Sequence, residues 1–397
     1  MTMTWTAAFR SAPVSPYESL TLIHPSRGFH DETLRQVVRL RGGGQRLRLR
    51  FSNLYGKQPL IITRTRIAAL ETTSSIVAST DTEVTFTGAS QVAVPIGEEV
   101  VSDPIDFPTT TETDLAVSTY HAVETELVTY HPFALQPGYV ARGDLASHPD
   151  LSNPEEVEPR FYLSGIDAWT PTSRCVVAAF GDSLTDGVGT TPGANLRYPD
   201  LLARQVAEAN TTVINLGIAG NRLLSDVFGE RGIARFDRDV LASPGVTHLV
   251  VQIGLNDIGM PGMFGLPPVP LTDLTAGLTS ILERARQHGL TTIISTVTPF
   301  GGAAAIAPGL DTPENEETRQ RLNQWIRTNP DLDAVADLDH VLRDTTAPNY
   351  LLPGYDSGDH MHPNDAGAKA IADTISEILL TGRTRRGRPR SSEERLN

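Results

Sequence analysis

The chain has 397 residues and a formal net charge of -14 at pH 7, with 39% hydrophobic and 20% charged residues. This length exceeds what one hydrophobic core usually organises, so we expect two domains. No apolar run reaches the roughly 18 residues of a membrane-spanning helix, which excludes a bilayer-spanning role. The acidic charge argues against general attraction to nucleic acid or anionic lipid. The single cysteine, Cys175, excludes an internal disulfide and every multi-cysteine metal cluster.

The first residues, MTMTWTAAFRSAPVSP, have neither a basic start nor a continuous apolar core, so no signal peptide is visible. We therefore expect a cytoplasmic protein from the chain as written, and a secreted one if the chain is a processed form.

Up to about residue 165 the sequence consists of short alternating runs. In RLRLRF, residues 46–51, arginine alternates with leucine and phenylalanine, which is typical of a half-buried strand. Similar runs are QVVRLR, LIITRTRIA, EVTFTG, QVAVPI and DLAVSTYH, with turn residues and no helical period between them. This pattern predicts an antiparallel β-sandwich, jelly-roll-like, as an accessory domain over residues 1–168.

From Arg174 onward compact apolar strands alternate with helical stretches. The strands are CVVAAF, TVINLG, THLVVQIG, TTIISTVTP and AVADL, and the helices are PDLLARQVAEA, LTDLTAGLTSILERARQ, ENEETRQRLNQWIR and AKAIADTISEILL. This alternation predicts an α/β domain over residues 169–380, with a parallel sheet covered on both faces. Residues 381–397 carry six Arg against two Glu, the composition of a disordered basic tail.

Candidate functional groups follow the strand ends, where an open parallel sheet binds its ligands. They are Gly181-Asp182-Ser183-Leu184 after the first strand, Gly217 and Gly220 after the second, Asn256 and Asp257 after the third, and Asp359 and His362 before the last helix. Four segments therefore meet at one edge of the sheet. They supply a serine hydroxyl, a glycine backbone that allows close approach, an asparagine amide and a carboxylate-imidazole pair.

The segment DSGDHMHPNDAG, residues 356–367, allows two interpretations. His360 and His362 could bind a divalent cation together with a carboxylate, but a metal site needs a third protein ligand, and only Asp359 or Asp356 is nearby. Alternatively, Asp359 hydrogen-bonds Nδ1 of His362 and leaves Nε2 to take a proton from a serine nucleophile. We favour this second interpretation, with no metal and with His360 as a neighbour of the site.

Four blocks, GDSL, a glycine-containing second block, G-x-N-D and D-x-x-H-P, resemble those of the SGNH (GDSL-type) ester hydrolases in identity and order over residues 174–380. GFHDETLRQVVRLR and RLRFSNLYGKQPL resemble, more loosely, the β-rich domain that precedes the hydrolase domain in many bacterial members. The resemblance implies a flavodoxin-like sheet and a serine esterase or acylhydrolase that requires no cofactor.

By this resemblance Ser183 is the nucleophile, His362 its base, and Asp359 the acid that orients the base. The backbone N–H groups of Ser183 and Gly220 and the side-chain amide of Asn256 form the oxyanion hole.

Three further residues are candidate substrate contacts: Asp182, Met260 and Phe264. The last two lie in GMPGMFGLPPVP, residues 259–270, a loop that fits either an acyl-binding wall or a connector packed into the core. Asp257 is expected to serve the loop structurally and is left out of the catalytic set.

The expected reaction is hydrolysis of short acyl or acetyl esters through an acyl-enzyme. The β-rich domain in front places carbohydrate esters, beside small-molecule esters, among the candidate substrates. A lipase, phospholipase or thioesterase on longer acyl chains is an alternative, and a carbohydrate-binding protein with a silent hydrolase site is an alternative from another class. RRGRPR in the tail resembles the AT-hook DNA-binding motif, but the acidic body makes nucleic acid an unfavourable partner.

Overall fold

The structure is a computed structural model that describes residues 2–20, 24–172 and 174–382. The predicted basic tail, with its AT-hook-like motif, lies outside the described residues from residue 383 onward. In the described part of the chain no helix combines the length and apolar character needed to cross a membrane.

The described residues between 2 and 172, here called the antiparallel half, form strands and one short 3-10 turn. The strands are β1 (Met3–Arg10), β2 (Glu32–Arg39), β3 (Leu47–Ser52), β4 (Leu60–Ile62), β5 (Arg64–Thr72), β6 (Ser75–Ile76), β7 (Thr82–Val84), β8 (Val92–Val94), β9 (Glu99–Val101), β10 (Asp114–His121), β11 (Tyr130–His131), β12 (Gly138–Arg142), β13 (Glu155–Val157), β14 (Arg160–Phe161) and β15 (Leu163–Pro171).

Two antiparallel sheets contain most of these strands. One has the order β1-β15-β3-β9, and the other has the order β13-β12-β2-β10-β5-β6, with β7 also paired to β5. Leu49 of the first sheet and Leu34 and Leu115 of the second are fully buried in one hydrophobic cluster. Alternation along the strands points their apolar side chains into this shared core, which confirms the predicted antiparallel β-rich region.

The predicted domain boundary between residues 168 and 169 falls inside β15. This strand continues to Pro171 and pairs along its length with β1, from Met3 opposite Pro171 to Arg10 opposite Gly165. The division into two domains remains a proposal, and we place its boundary at the connection that follows Pro171.

Residues 174–382, here called the parallel half, alternate strands with helices. The strands are β16 (Cys175–Gly181), β17 (Thr211–Gly217), β18 (Val246–Gln252), β19 (Thr291–Ser295) and β20 (Ala334–Ala336). The helices are α1 (Ser183–Asp186), α2 (Tyr198–Val206), α3 (Gly232–Phe236), α4 (Leu255–Met263), α5 (Leu271–Gln287), α6 (Pro313–Thr328), α7 (Leu338–Leu342) and α8 (Asp365–Thr381).

The five strands form one parallel sheet in the order β17-β16-β18-β19-β20. This is the flavodoxin-like order 2-1-3-4-5, whose ligand crevice lies where the strand order reverses, beside the first strand. Successive residues of β16 point to opposite faces of the sheet. Ala178 belongs to the hydrophobic core on one face and Ala179 to the core on the other. The sheet is therefore covered on both faces, as the sequence predicts.

The predicted loop over residues 259–270 is partly wrong, because α4 extends to Met263 and contains Pro261. Proline lacks an N–H group and disfavours a helix interior, so the dense Gly and Pro content suggested a loop. The helix ends only two residues after Pro261, which limits the free-energy cost of a proline inside it.

The two halves pack directly against each other. Ala7 of β1 belongs to the hydrophobic core of the parallel half, and its N–H group donates to the carbonyl of Pro244 at 2.9 Å. Conversely, Ile218 of the parallel half belongs to the core of the antiparallel half. The loops that follow the parallel strands are therefore partly supported by the antiparallel half.

Candidate active site

Ser183 is the first residue of α1, directly after the tight turn that joins β16 to this helix. A Cβ atom on Gly181 would lie 2.1 Å from Thr185 Oγ1 and 2.4 Å from the carbonyl oxygen of Gln252, so only glycine allows this turn. The Asp182 carboxylate then accepts the N–H of Leu184 and caps the short helix. The turn fixes the hydroxyl of Ser183 at the carboxyl end of the sheet.

Ser183, His362 and Asp359 form one hydrogen-bonded series. His362 Nε2 lies 2.9 Å from Ser183 Oγ, and His362 Nδ1 lies 2.6 Å from Asp359 Oδ2. Because an ionised carboxylate only accepts hydrogen bonds, Nδ1 carries the proton and Nε2 is free to accept the hydroxyl proton. Ser183 is 4% exposed and His362 is 9% exposed, so the pair is largely shielded from water.

Asp359 is held as a carboxylate. Burial alone raises the pKa of Asp359, but the hydrogen bond and charge of His362, with the backbone N–H groups of His362 and Met361, outweigh burial and lower the pKa well below its ordinary value. Both N–H groups donate to Oδ1, at 2.8 and 2.9 Å, while Oδ2 faces the imidazole. The negative charge therefore stays beside Nδ1 over the working pH range.

Of the predicted oxyanion residues, Ser183 begins α1, Gly220 lies in the loop after β17, and Asn256 is the second residue of α4. Gly220 has φ +77°, a conformation that favours glycine. Asn256, near the start of α4, is buried, and its Nδ2 donates to the carbonyl of Asn221 at 3.0 Å. An amide nitrogen has two hydrogens, so one N–H of Asn256 remains for another acceptor. The Gly220 loop also touches the serine turn, since the N–H of Ile218 donates to the Gly181 carbonyl at 3.2 Å.

Asp257 and Asp182 are structural carboxylates. Asp257 accepts the N–H groups of Leu223 and Leu224 at 2.7 and 2.9 Å, as expected for a residue that serves the loop, and burial raises its pKa to about 6. Burial also raises the pKa of Asp182 to about 7. The predicted substrate contact of Asp182 is not supported, because its side chain is enclosed and caps α1.

The other two predicted substrate contacts differ in exposure. Met260 is buried in α4, where it packs inside the protein, so it does not line an open surface. Phe264 follows the helix directly and is 36% exposed. Of the three candidates, Phe264 alone presents an accessible side chain.

His360 forms a second pair of its own, with Asp356. Its Nδ1 lies 2.6 Å from Asp356 Oδ2, and its side chain is 47% exposed. The two histidines of the segment therefore each have a separate carboxylate. Among the described residues no group of three or more His, Cys, Asp or Glu side chains is arranged to hold a metal ion.

Sequence reasoning missed a link from the antiparallel half to the Gly220 loop. Asp186 of α1 accepts the N–H of Ala219 at 2.8 Å through Oδ2, and its Oδ1 lies 3.0 Å from Nε2 of His131 in β11. Asp186 stands three residues after Ser183, which could have drawn attention to it. No local signal marks His131, since the contact joins residues far apart in the chain.

Arg235 was also missed. Its fully buried guanidinium donates to the carbonyls of Gly181 and Leu216, at 2.8 and 2.9 Å, and to Asn221 Oδ1 at 3.0 Å. Asp239 supplies its counter-charge at 2.9 Å. Arg235 thereby ties together the ends of β16 and β17 and the loop that carries Gly220.

A parallel sheet that brings a serine, a histidine and an aspartate together at its carboxyl edge is the arrangement of a serine hydrolase. Residues 179–370 match the model of the GDSL-like lipase/acylhydrolase family. This part of the chain is therefore a GDSL-type hydrolase domain, of a family that acts on esters.

Solved structures resemble this domain at low identity. A GDSL-like lipase from Bacteroides thetaiotaomicron is 16% identical with a TM-score of 0.41, and the match covers 53% of this chain and 90% of that one. The aryl esterase of M. smegmatis is 15% identical with a TM-score of 0.40, covering 52% and 98%. A carbohydrate acetylesterase family member from Sinorhizobium meliloti is 19% identical with a TM-score of 0.38, covering 52% and 97%. No curated protein matches the chain, and these similarities are too low to carry an activity to it.

Proposed function

We propose that this protein hydrolyses carboxylic esters through an acyl-enzyme formed on Ser183. The observation that carries the proposal is the series from Asp359 through His362 to Ser183 Oγ, with spacings of 2.6 and 2.9 Å. A nucleophile, a base and a group that orients the base are thus within hydrogen-bond reach without rearrangement.

In the proposed reaction His362 Nε2 removes the hydroxyl proton as Ser183 Oγ attacks the ester carbonyl carbon. The resulting oxyanion is stabilised by the N–H groups of Ser183 and Gly220 and by the Asn256 amide. The intermediate collapses, the carbon–oxygen bond to the alcohol breaks, and His362 returns its proton to the departing alkoxide. Water then attacks the acyl-enzyme by the same steps and releases the acid and free Ser183.

We propose a short acyl group, such as acetyl, as the leading substrate class. The near-complete burial of Ser183 and His362 supports this choice, since a small acyl group reaches an enclosed nucleophile more readily than a long chain does. Carbohydrate esters belong to the same class, because their acyl groups are small and their bulk lies on the alcohol side.

A longer acyl chain is the second candidate, supported by apolar side chains on the surrounding loops. Gly262 packs against Gly309, Gly301 donates to the carbonyl of Asn349 at 2.7 Å, and Gly302 packs against His360, so these loops adjoin the catalytic segment. Their exposed apolar residues are Phe264, Leu266, Ile306, Tyr350 and Leu352. Exposed apolar groups on neighbouring loops are suited to a hydrophobic ligand.

Hydrolysis of p-nitrophenyl acetate tests the proposal. Ser183→Ala is expected to lower kcat by about 10⁶-fold, because no other group replaces the nucleophile. Ser280→Ala, on the exposed face of α5, is the matched control and should leave the rate unchanged. Comparable activity in wild type and Ser183→Ala, or none in either, would support the silent-site alternative.

A series of p-nitrophenyl esters of increasing chain length, run beside acetylated oligosaccharides, separates the two substrate classes. A steep fall in kcat/KM beyond short chains supports the leading class. A rise with chain length would contradict it and assign the exposed apolar residues to acyl binding.

A further inference from the structure

A small cavity between the two halves is lined by an unusual number of cationic side chains. It encloses about 20 Å³, and its charged lining consists of Arg10, Arg41, Arg160, Arg197, His131 and Asp186. Three of the arginines come from the antiparallel half and Arg197 from the parallel half. All four are buried, so their charges are poorly screened by water.

Carboxylates near the cavity are shared among more than one arginine. Asp167 pairs with Arg10 at 2.6 Å, and it also accepts Arg48 and Arg50 at 3.0 and 2.9 Å. Asp200 pairs with both Arg41 and Arg197. These contacts neutralise each arginine only in part, and none of them reaches Arg160.

Arg160 is the least compensated charge of the group. It is 4% exposed, and among the described residues it forms no ion pair. Its hydrogen bond runs from Nη1 to the carbonyl of Val37 at 3.0 Å, and its guanidinium lies 5.0 Å from the centre of the Phe9 ring. A guanidinium has five N–H donors, so these contacts leave most of its hydrogen-bonding capacity unused.

Arg35 shows how the same half satisfies a buried arginine without a carboxylate. Arg35 donates to the carbonyls of Ser74, His148 and Pro149, at 2.6, 2.7 and 3.1 Å, and to Ser118 Oγ at 2.8 Å. Arg160 has no such set of acceptors in the described chain. Burial, and next the charges of Arg197 and Arg41, lower the pKa of Arg160 to about 9, which still leaves it protonated at pH 7.

His131 and Asp186 also line the cavity. His131 Nδ1 lies 3.0 Å from the carbonyl of Ala12, and its Nε2 lies 3.0 Å from Asp186 Oδ1. The second oxygen of Asp186 accepts the N–H of Ala219 at 2.8 Å. Both oxygens of Asp186 therefore have partners other than Arg160.

We propose that this cavity binds a monatomic anion, of which chloride is the common example, between the two halves of the protein. The site supplies the counter-charge that Arg160 lacks, and an unpaired buried cation is otherwise costly. A single water needs roughly 10 to 15 Å³, so a cavity of about 20 Å³ has room for one ion of chloride size. An ion that binds only the folded protein stabilises it by mass action.

Bromide locates the ion directly in the wild-type protein. Crystals grown in sodium bromide are expected to show an anomalous peak in the cavity beside Arg160. In solution, Tm in sodium chloride should exceed Tm in sodium gluconate at equal ionic strength by a few degrees, and the difference should saturate with chloride concentration. A cavity without an anomalous peak, or equal Tm values in the two salts, would overturn the proposal.

Arg160→Met assigns the effect to this site, since methionine retains the apolar contact with Phe9 and removes the charge. The variant is expected to lose both the bromide peak and the difference in Tm between the two salts. Arg46→Gln, which removes an exposed charge paired with Asp106, is the control and should retain both. A full halide response in Arg160→Met would contradict the assignment, and if this variant does not fold, the wild-type measurements decide.

Discussion

The two halves of this protein place buried polar groups at different points along their strands. In the parallel half the polar groups of the candidate site, such as Ser183 and Asn256, follow the strand ends and converge on one edge. In the antiparallel half Asp167, which pairs with three arginines, and Arg35, which donates to carbonyl groups, lie within strands. For these residues, position along the strand distinguishes side chains that can meet a substrate from those that fix the fold.

His131 is the exception, because it belongs to the antiparallel half and reaches the Gly220 loop through Asp186. If the comparison is right, residues at the strand ends of the parallel half should have the largest effects on catalysis. Substitution of a residue that acts through a neighbouring residue should lower kcat less. Substitution of an exposed residue beside the site should lower it least.

After loss of Ser183, the largest effect is expected for Asp359→Asn, with a fall in kcat of about 10⁴-fold, as for the equivalent change in another serine hydrolase. An amide neither holds the Nδ1 proton as a carboxylate does nor stabilises the imidazolium that forms during attack. Steady-state kinetics on p-nitrophenyl acetate measure the effect.

Asp356→Asn is the matched control, since Asp356 binds His360 at the same 2.6 Å spacing in the same segment. It should remain close to wild type. Near-normal activity in Asp359→Asn would reduce the proposed triad to a Ser–His pair.

Asn256→Ala is expected to lower kcat by roughly 10²- to 10³-fold with little change in KM, because the lost N–H group acts on charge that develops in the transition state. Asn256 also donates to the Asn221 carbonyl, so Tm must be measured beside the kinetics. A fall in activity that follows unfolding, or a change confined to KM, would argue against an oxyanion role.

His131→Ala is expected to lower kcat by about 10-fold, less than the roughly 10²-fold that a 1 Å misplacement near the chemistry can cost. The substitution frees Asp186, which then holds the Ala219 N–H less firmly and lets the Gly220 loop shift. His148→Ala, an exposed histidine of the same half, is the control. Partial recovery of kcat in His131→Gln, which retains a hydrogen-bond donor, would show that His131 acts by positioning Asp186. An unchanged kcat in His131→Ala would show that the contact between His131 and Asp186 does not contribute to catalysis.

His360→Ala should have the smallest effect, less than about fivefold in kcat, since exposed ion pairs contribute little. Activity should also persist after exhaustive chelation. A loss comparable to that of Asp359→Asn would place the second Asp–His pair in the chemistry, and loss on chelation with recovery on adding a divalent cation would support the metal interpretation.

The sequence predicts those parts of this architecture that depend on local pattern. The alternation of DLAVSTYH and the period of LTDLTAGLTSILERARQ each coincide with one observed element, β10 and α5. Three of the four candidate blocks follow predicted strand ends and the fourth precedes the last helix, so their convergence on one edge could be anticipated from topology.

The errors arise where local composition and the observed structure disagree, or where contacts join distant residues. Pro261 suggested a loop although α4 continues through it. The contact of His131 with Asp186, and the cavity that Arg160 shares with Arg197, join residues of the two halves, and no spacing in the chain records them. The anion cavity was unpredictable for the same reason.

The pairing of β1 with β15 has a consequence for synthesis on the ribosome. β1 has no neighbour in its sheet until β15, the last strand of the antiparallel half, has been translated. Closing so long a loop is slow, and the unpaired edge of β1 is exposed to aggregation meanwhile. β1 is therefore the part of the antiparallel half that would gain most from chaperone protection during synthesis. A fragment that begins after β1 would lose an edge strand and expose the surface of the parallel half against which β1 packs.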